Sequence, residues 1–142
     1  MTDALLRYAH FLSILLLSAT LFAENLLLKP QLSAQEIRRL GLLDALYGIA
    51  AGMVLLAGLG LWFGGAKGAA FYTHNPVFHA KLGLFMVIGA VSVWPTVFLL
   101  KNRRQAQVTV PASVRYCKRL ELALLPLLPL LATLMARGIG SA

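Results

Sequence analysis

The chain has 142 residues, 59% of them hydrophobic and 13% charged, with a formal net charge of +8. Soluble domains run at about 45–50% apolar and about 25% charged, so both departures point to lipid; the basic residues lie between apolar runs, which argues against nucleic acid as their partner. A helix crossing the roughly 30 Å hydrocarbon core uses about 20 apolar residues, and four such helices take up this length, leaving no room in it for a soluble catalytic module.

The first apolar run covers 4–28 and is longer than the core of a typical signal peptide, so it reads as a retained helix. After Lys29-Pro30, Ser33 precedes Glu36 by three residues, the spacing of a capping box that satisfies the first backbone donors of a helix. That helix should enter the bilayer as a second span over 42–63. A Gly-rich loop follows at 64–75. Asn75-Pro76 then marks a helix start, with Asn capping and Pro tolerated in the first turn, and opens a third span over 77–100. A basic loop leads to Pro111 and a fourth span over 112–136, which Pro126 and Pro129 should kink. Its strictly uncharged stretch begins only at Leu122, so Lys118 and Arg119 are expected to snorkel to the headgroups.

The expected fold is all-α: one transmembrane domain, residues 1–142, forming a four-helix bundle. Nine basic residues fall in the connections after spans one and three, against Arg7, Lys67, Lys81 and Arg137 on the other side. The positive-inside rule then places both termini outside, in a multi-pass protein of a bacterial cytoplasmic (inner) membrane. Cys117 is the one cysteine, which removes an internal disulfide or a cysteine-based metal site.

Polar groups inside spans cost about 2.5–3.5 kcal/mol for a central charge, and so mark candidate sites. On span one, His10, Ser13, Thr20 and Glu24 fall within about 80° of one another at 100° per residue and should face other helices. His10 and His79 lie at matched depth near the outer ends of spans one and three. Two histidines from different helices at one depth suit the axial ligation of a b-type haem. Gly83, with Met86 and Ala90 on the His79 face, could let a flat macrocycle approach, or could serve close helix packing. Lys81 points roughly 160° from His79 and either snorkels or binds a carboxylate such as a haem propionate. His74 could join His10 and His79 in a zinc or copper site with an open position. At the inner end, Glu24, Asp44 and Glu121 come from three spans at comparable depth. They read as interfacial ion pairs with Arg38, Arg39, Lys118 and Arg119, or as a proton entry or cation site.

Gly48 and Gly52, like Gly60 and Gly64, have the GxxxG spacing that allows close backbone approach, either within the chain or in a homo-oligomer. Asp44, Tyr47, Ala51, Leu55, Gly58 and Trp62 share a face, which makes span two central. Nothing in the chain resembles a nucleophile–base arrangement, a phosphate loop or a nucleotide fingerprint, which removes hydrolase and kinase readings.

Leu6-Arg-Tyr-Ala-His-Phe-Leu, Asp44-Ala-Leu-Tyr-Gly and His74-Asn-Pro-Val-Phe-His-Ala-Lys-Leu resemble a family of small bacterial predicted membrane proteins of unknown function. More distantly, the His of span one and the His-x-Lys-Leu opening of span three are similar to HemJ-type protoporphyrinogen oxidases and CopD-like membrane domains. The HemJ likeness implies haem binding, with roles falling on His10 and on His79 or Lys81. Two functions therefore stand side by side. One is a haem b-binding bundle in electron transfer or porphyrin oxidation. The other is a non-enzymatic membrane protein, for complex assembly or small-solute or metal transport, with an outer histidine site or no cofactor.

Overall fold

A computed structural model describes residues 2–65 and 68–138 of the chain; Lys67, counted above with the terminal side, lies outside them. Its elements run α1 (Thr2–Leu27), β1 (Gln31–Ser33), α2 (Ala34–Gly64), α3 (Ala69–Thr73), α4 (Pro76–Asn102), β2 (Gln107–Thr109), α5 (Ala112–Leu124) and α6 (Leu127–Ala136). Among the described residues there are four helical stretches long and apolar enough to cross a membrane: α1, α2, α4 and the broken pair α5–α6. The protein is an all-α transmembrane four-helix bundle.

The helix ends follow local chemistry. The Ser33 hydroxyl accepts from the Glu36 amide at 3.2 Å, and the Glu36 carboxylate accepts from the Ser33 amide at 3.0 Å, closing the capping box. Lys29 pairs with Glu36 from the preceding loop. The Asn75 side-chain oxygen accepts from the Val77 amide at 2.9 Å, with Pro76 in the first turn. Span four breaks between Leu124 and Leu127, where Pro126 supplies no amide hydrogen. Within the Gly-rich loop, Ala69–Thr73 forms one helical turn, where a plain loop is expected. Gly68, at φ 78°, turns the chain into it.

The sequence gives no hint of the two-stranded ribbon that ties together the connections after the first and third spans. β1 and β2 run antiparallel, with Gln31 opposite Thr109, Leu32 opposite Val108 and Ser33 opposite Gln107. The Val110 amide extends the pairing by donating to the Pro30 carbonyl at 2.8 Å. Leu32 and Val108 point inward and join Ile37, Leu40, Phe98 and Val114 in one buried cluster under the ribbon. A second cluster (Leu17, Leu21, Tyr47, Ala50, Val54 and Leu125) fills the middle of the bundle.

Leu5, Phe11, Leu15, Phe22, Leu56 and Leu130 are exposed on the outer surface. Such a surface would associate in water but is the proper one in hydrocarbon. The glycines divide by role. A Cβ on Gly60 would come within 2.9 Å of the Leu6 side chain, so α1 and α2 approach closely there. Gly48, Gly52 and Gly64 would meet nothing within 4 Å, so these GxxxG positions do not serve packing inside the chain.

Candidate functional site

The polar residues gather at two levels. At the level nearer the ribbon lies Lys118, which is 1% exposed and does not snorkel. Its ammonium sits 3.0 Å from Glu24 Oε2, 3.1 Å from Asp44 Oδ1 and 3.6 Å from Glu121 Oε2. The ring of Tyr47 lies 4.4 Å beneath it, and the Tyr47 hydroxyl donates to Glu121 Oε1 at 2.9 Å. The Thr96 hydroxyl donates to the other oxygen of Asp44 at 2.6 Å. The Asn25 amide donates to the Lys118 carbonyl at 3.1 Å. Residues of α1, α2 and α5 thus converge on one ammonium, with Thr96 of α4 joined through Asp44, and all four spans are tied at one depth. Arg119 is exposed, as a snorkelling side chain should be.

The correction for Lys118 has a physical reason. Three carboxyls from three helices at one depth offer an ammonium more than the headgroups can, because attraction grows as the dielectric falls. Of the four cations considered for the inner carboxylates, Lys118 is the one that pairs with them. Its Nζ occupies the centre that a metal cation would otherwise take. Tyr47, Thr96 and Asn25 complete the site. The spacing of Lys118 and Glu121, one helical turn apart, is a signal in the sequence that could have found the pairing.

The other level, towards the termini, holds a cavity of about 510 Å³ between α1, α2, α4 and α6. Phe11, Val54, Leu82, Phe85 and Leu128 are among the residues of its apolar wall, and His10 and Lys81 are its ionisable residues. His10 Nδ1 is buried and makes no hydrogen bond of good geometry, although the Val54 backbone lies close enough to the ring to interact with it. The imidazole packs beside Gly58, where a Cβ would lie 3.4 Å from His10 Cε1, in ordinary van der Waals contact. Trp62 and Phe78, with ring centroids 4.9 Å apart, line the cavity from α2 and α4, and the Trp62 indole donates to Thr73 Oγ1 at 2.9 Å.

The histidines are not brought together. His79 is exposed, and its Nε2 lies 2.7 Å from the Thr73 carbonyl. His79, Gly83, Met86 and Ala90 all lie on an exposed stripe of α4, and a Cβ on Gly83 would meet nothing within 4 Å. The face expected to receive a macrocycle therefore turns outward. Lys81, on the opposite side of the helix, turns inward to the cavity. His74 ends α3 and is exposed. Among the described residues no three His, Cys, Asp or Glu side chains are placed to hold a metal ion, so His10, His74 and His79 do not form a three-ligand site.

The polar stripe of α1 is inward, as its spacing requires: Ser13, Thr20 and Glu24 are buried. The Ser13 and Thr20 hydroxyls donate to the carbonyls one turn earlier, at 2.6 Å and 2.8 Å, which satisfies them within their own helix. Asp44 and Tyr47 are likewise buried, and the rest of their face on α2 is half-buried.

No curated protein and no solved structure matches the chain. The distant likeness to HemJ-type oxidases and CopD-like domains finds no support there. A sequence profile does match, over residues 2–140, and its description, a predicted membrane protein, agrees with the four spans. The chain belongs to the predicted membrane protein family DUF2214.

Proposed function

We propose that the protein binds haem b in the cavity at the terminal end of the bundle and works in electron transfer or porphyrin oxidation. The observation that carries this reading is the His10 imidazole. It lines an apolar cavity of about 510 Å³, and its buried Nδ1 makes no hydrogen bond of good geometry. Ligand cavities of roughly 300–1,000 Å³ with few polar groups suit a compact apolar ligand, and haem b is such a ligand with acidic substituents. His10 is the one histidine of this cavity and would be the protein's axial ligand. Lys81 would meet a propionate, and the surrounding apolar side chains would exclude water. When bound, the iron supplies one-electron chemistry. The basic inner connections support a bacterial cytoplasmic membrane as the location, with the cavity towards the periplasmic side.

Protein purified after expression with ample haem should show a Soret band. His10→Ala should abolish it, His79→Ala should keep it, and Lys81→Met should weaken haem retention. A colourless wild type, or a His10→Ala variant with an undiminished band, overturns the proposal. A colourless, metal-free protein that copurifies with a fixed partner would instead support a non-enzymatic role in assembly.

A further inference from the structure

A groove of about 680 Å³ opens between α2 and α4 on the ribbon side and meets the histidine cavity at Leu17, Phe85, Leu125 and Leu128, which line both. It exists because α2 packs far more extensively on α1 than on α4. Its α2 wall runs from Arg38 to Ala51, 13 positions or about 20 Å of helix. That is close to one leaflet, since half of the hydrocarbon core is about 15 Å and the headgroup zone adds to it. Gly41, Gly48 and Gly89 shape the wall, and a Cβ on any of them would meet nothing within 4 Å.

The two ends of the groove differ in chemistry. Arg38, Arg103 and Arg104 stand exposed at its mouth. None of the three takes part in an ion pair among the described residues. Further in, Asp44 and Thr96 satisfy each other and the remaining wall is mainly apolar. We propose that this groove binds an anionic phospholipid of the adjacent leaflet, with its phosphate on the three arginines and an acyl chain along the glycine-lined wall. Arginine suits phosphate through paired donors in a planar fork. A second copy of the chain fits less well. Two-fold pairing across this face would place two sets of unpartnered arginines, with Arg39 beside them, against each other. A free anion would use the mouth and leave the apolar length unexplained.

Native mass spectrometry of the full chain tests this, after reconstitution in vesicles of phosphatidylcholine alone or in equimolar mixture with phosphatidylglycerol. The wild type should retain phosphatidylglycerol in preference to phosphatidylcholine. Replacing all three arginines (Arg38→Gln, Arg103→Gln and Arg104→Gln) should weaken that retention on the order of a hundredfold, at about 1 kcal/mol per basic residue. Gly48→Leu with Gly89→Leu should fill the groove and lower retention with the arginines intact. Far-ultraviolet circular dichroism checks that the variants are helical, and the wild-type preference for one lipid stands as a test without them. Equal retention of the two lipids overturns the proposal, as does phosphatidylglycerol binding that both sets of substitutions leave unchanged. A dimer that Gly48→Leu abolishes would make a second copy the occupant, and full competition by inorganic phosphate would reduce the site to an anion contact. Either result also overturns it.

Discussion

Lys118→Met removes the ammonium on which Glu24, Asp44 and Glu121 converge, while the side chain keeps much of its length. Breaking a buried ion pair by deleting one partner destabilises by about 3–5 kcal/mol, and Lys118 also loses its contact with the Tyr47 ring, which is worth about 0.5–2 kcal/mol. Some of this loss is recovered, because a carboxyl group left without a cation binds a proton rather than remain charged in the interior. The expected net loss is about 3 kcal/mol, a fall in Tm of roughly 6–12 °C for a chain of this size. Thermal unfolding in detergent at neutral pH, followed by Trp62 and Trp94 fluorescence, measures it. Adding Glu24→Gln and Asp44→Asn to Lys118→Met should restore at least half of the loss, because the orphaned acids are then gone. A single variant within about 0.5 kcal/mol of wild type would refute the view that the cluster holds the spans together. A triple variant no better than the single would assign the loss to the packing of the lysine stem instead.

Ser33→Ala breaks the capping box and should cost about 1 kcal/mol, with faster hydrogen exchange at the Glu36 amide as the local readout. Gly52→Ala adds a methyl group where nothing lies within 4 Å, so it should raise stability by about 0.5–1 kcal/mol on thermal unfolding; a loss would show that this face is covered by another molecule. Val108→Asp places an unpaired acid in the cluster under the ribbon and should destabilise by about 3 kcal/mol or more, measured in the same way.

The features of the fold that depend on local chemistry were legible in the sequence. Ser33 with Glu36, and Asn75 with Pro76, start helices through contacts between residues two or three positions apart, so their spacing is enough to read them. Long apolar runs gave the four spans for the same reason. The ribbon was not legible, because each strand has three residues and Gln31 meets Thr109 across 78 positions. Lys118 was misread because its sequence neighbours suggest a membrane boundary, whereas its environment is set by Glu24, 94 positions away, and by Asp44, 74 away. His10 and His79 were read at matched depth from their positions along the first and third spans. The step from depth to direction failed for His79: it and Lys81 lie on opposite sides of α4, and packing chose Lys81 to face inward.

The Lys118 cluster also orders how the protein is assembled. Glu24 and Asp44 enter the membrane with α1 and α2, but the cation they require sits on α5, after every other span. Until that last segment arrives, Glu24 and Asp44 lack the ammonium that joins the first two helices at their depth. The ribbon imposes the same schedule, since β2 lies just ahead of α5 and closes onto β1 only after α4 has crossed. Both fastenings therefore close together, at the end of insertion. A truncated or stalled chain ending before α5 keeps Glu24 and Asp44 without the ammonium that joins them, which distinguishes it from the finished bundle.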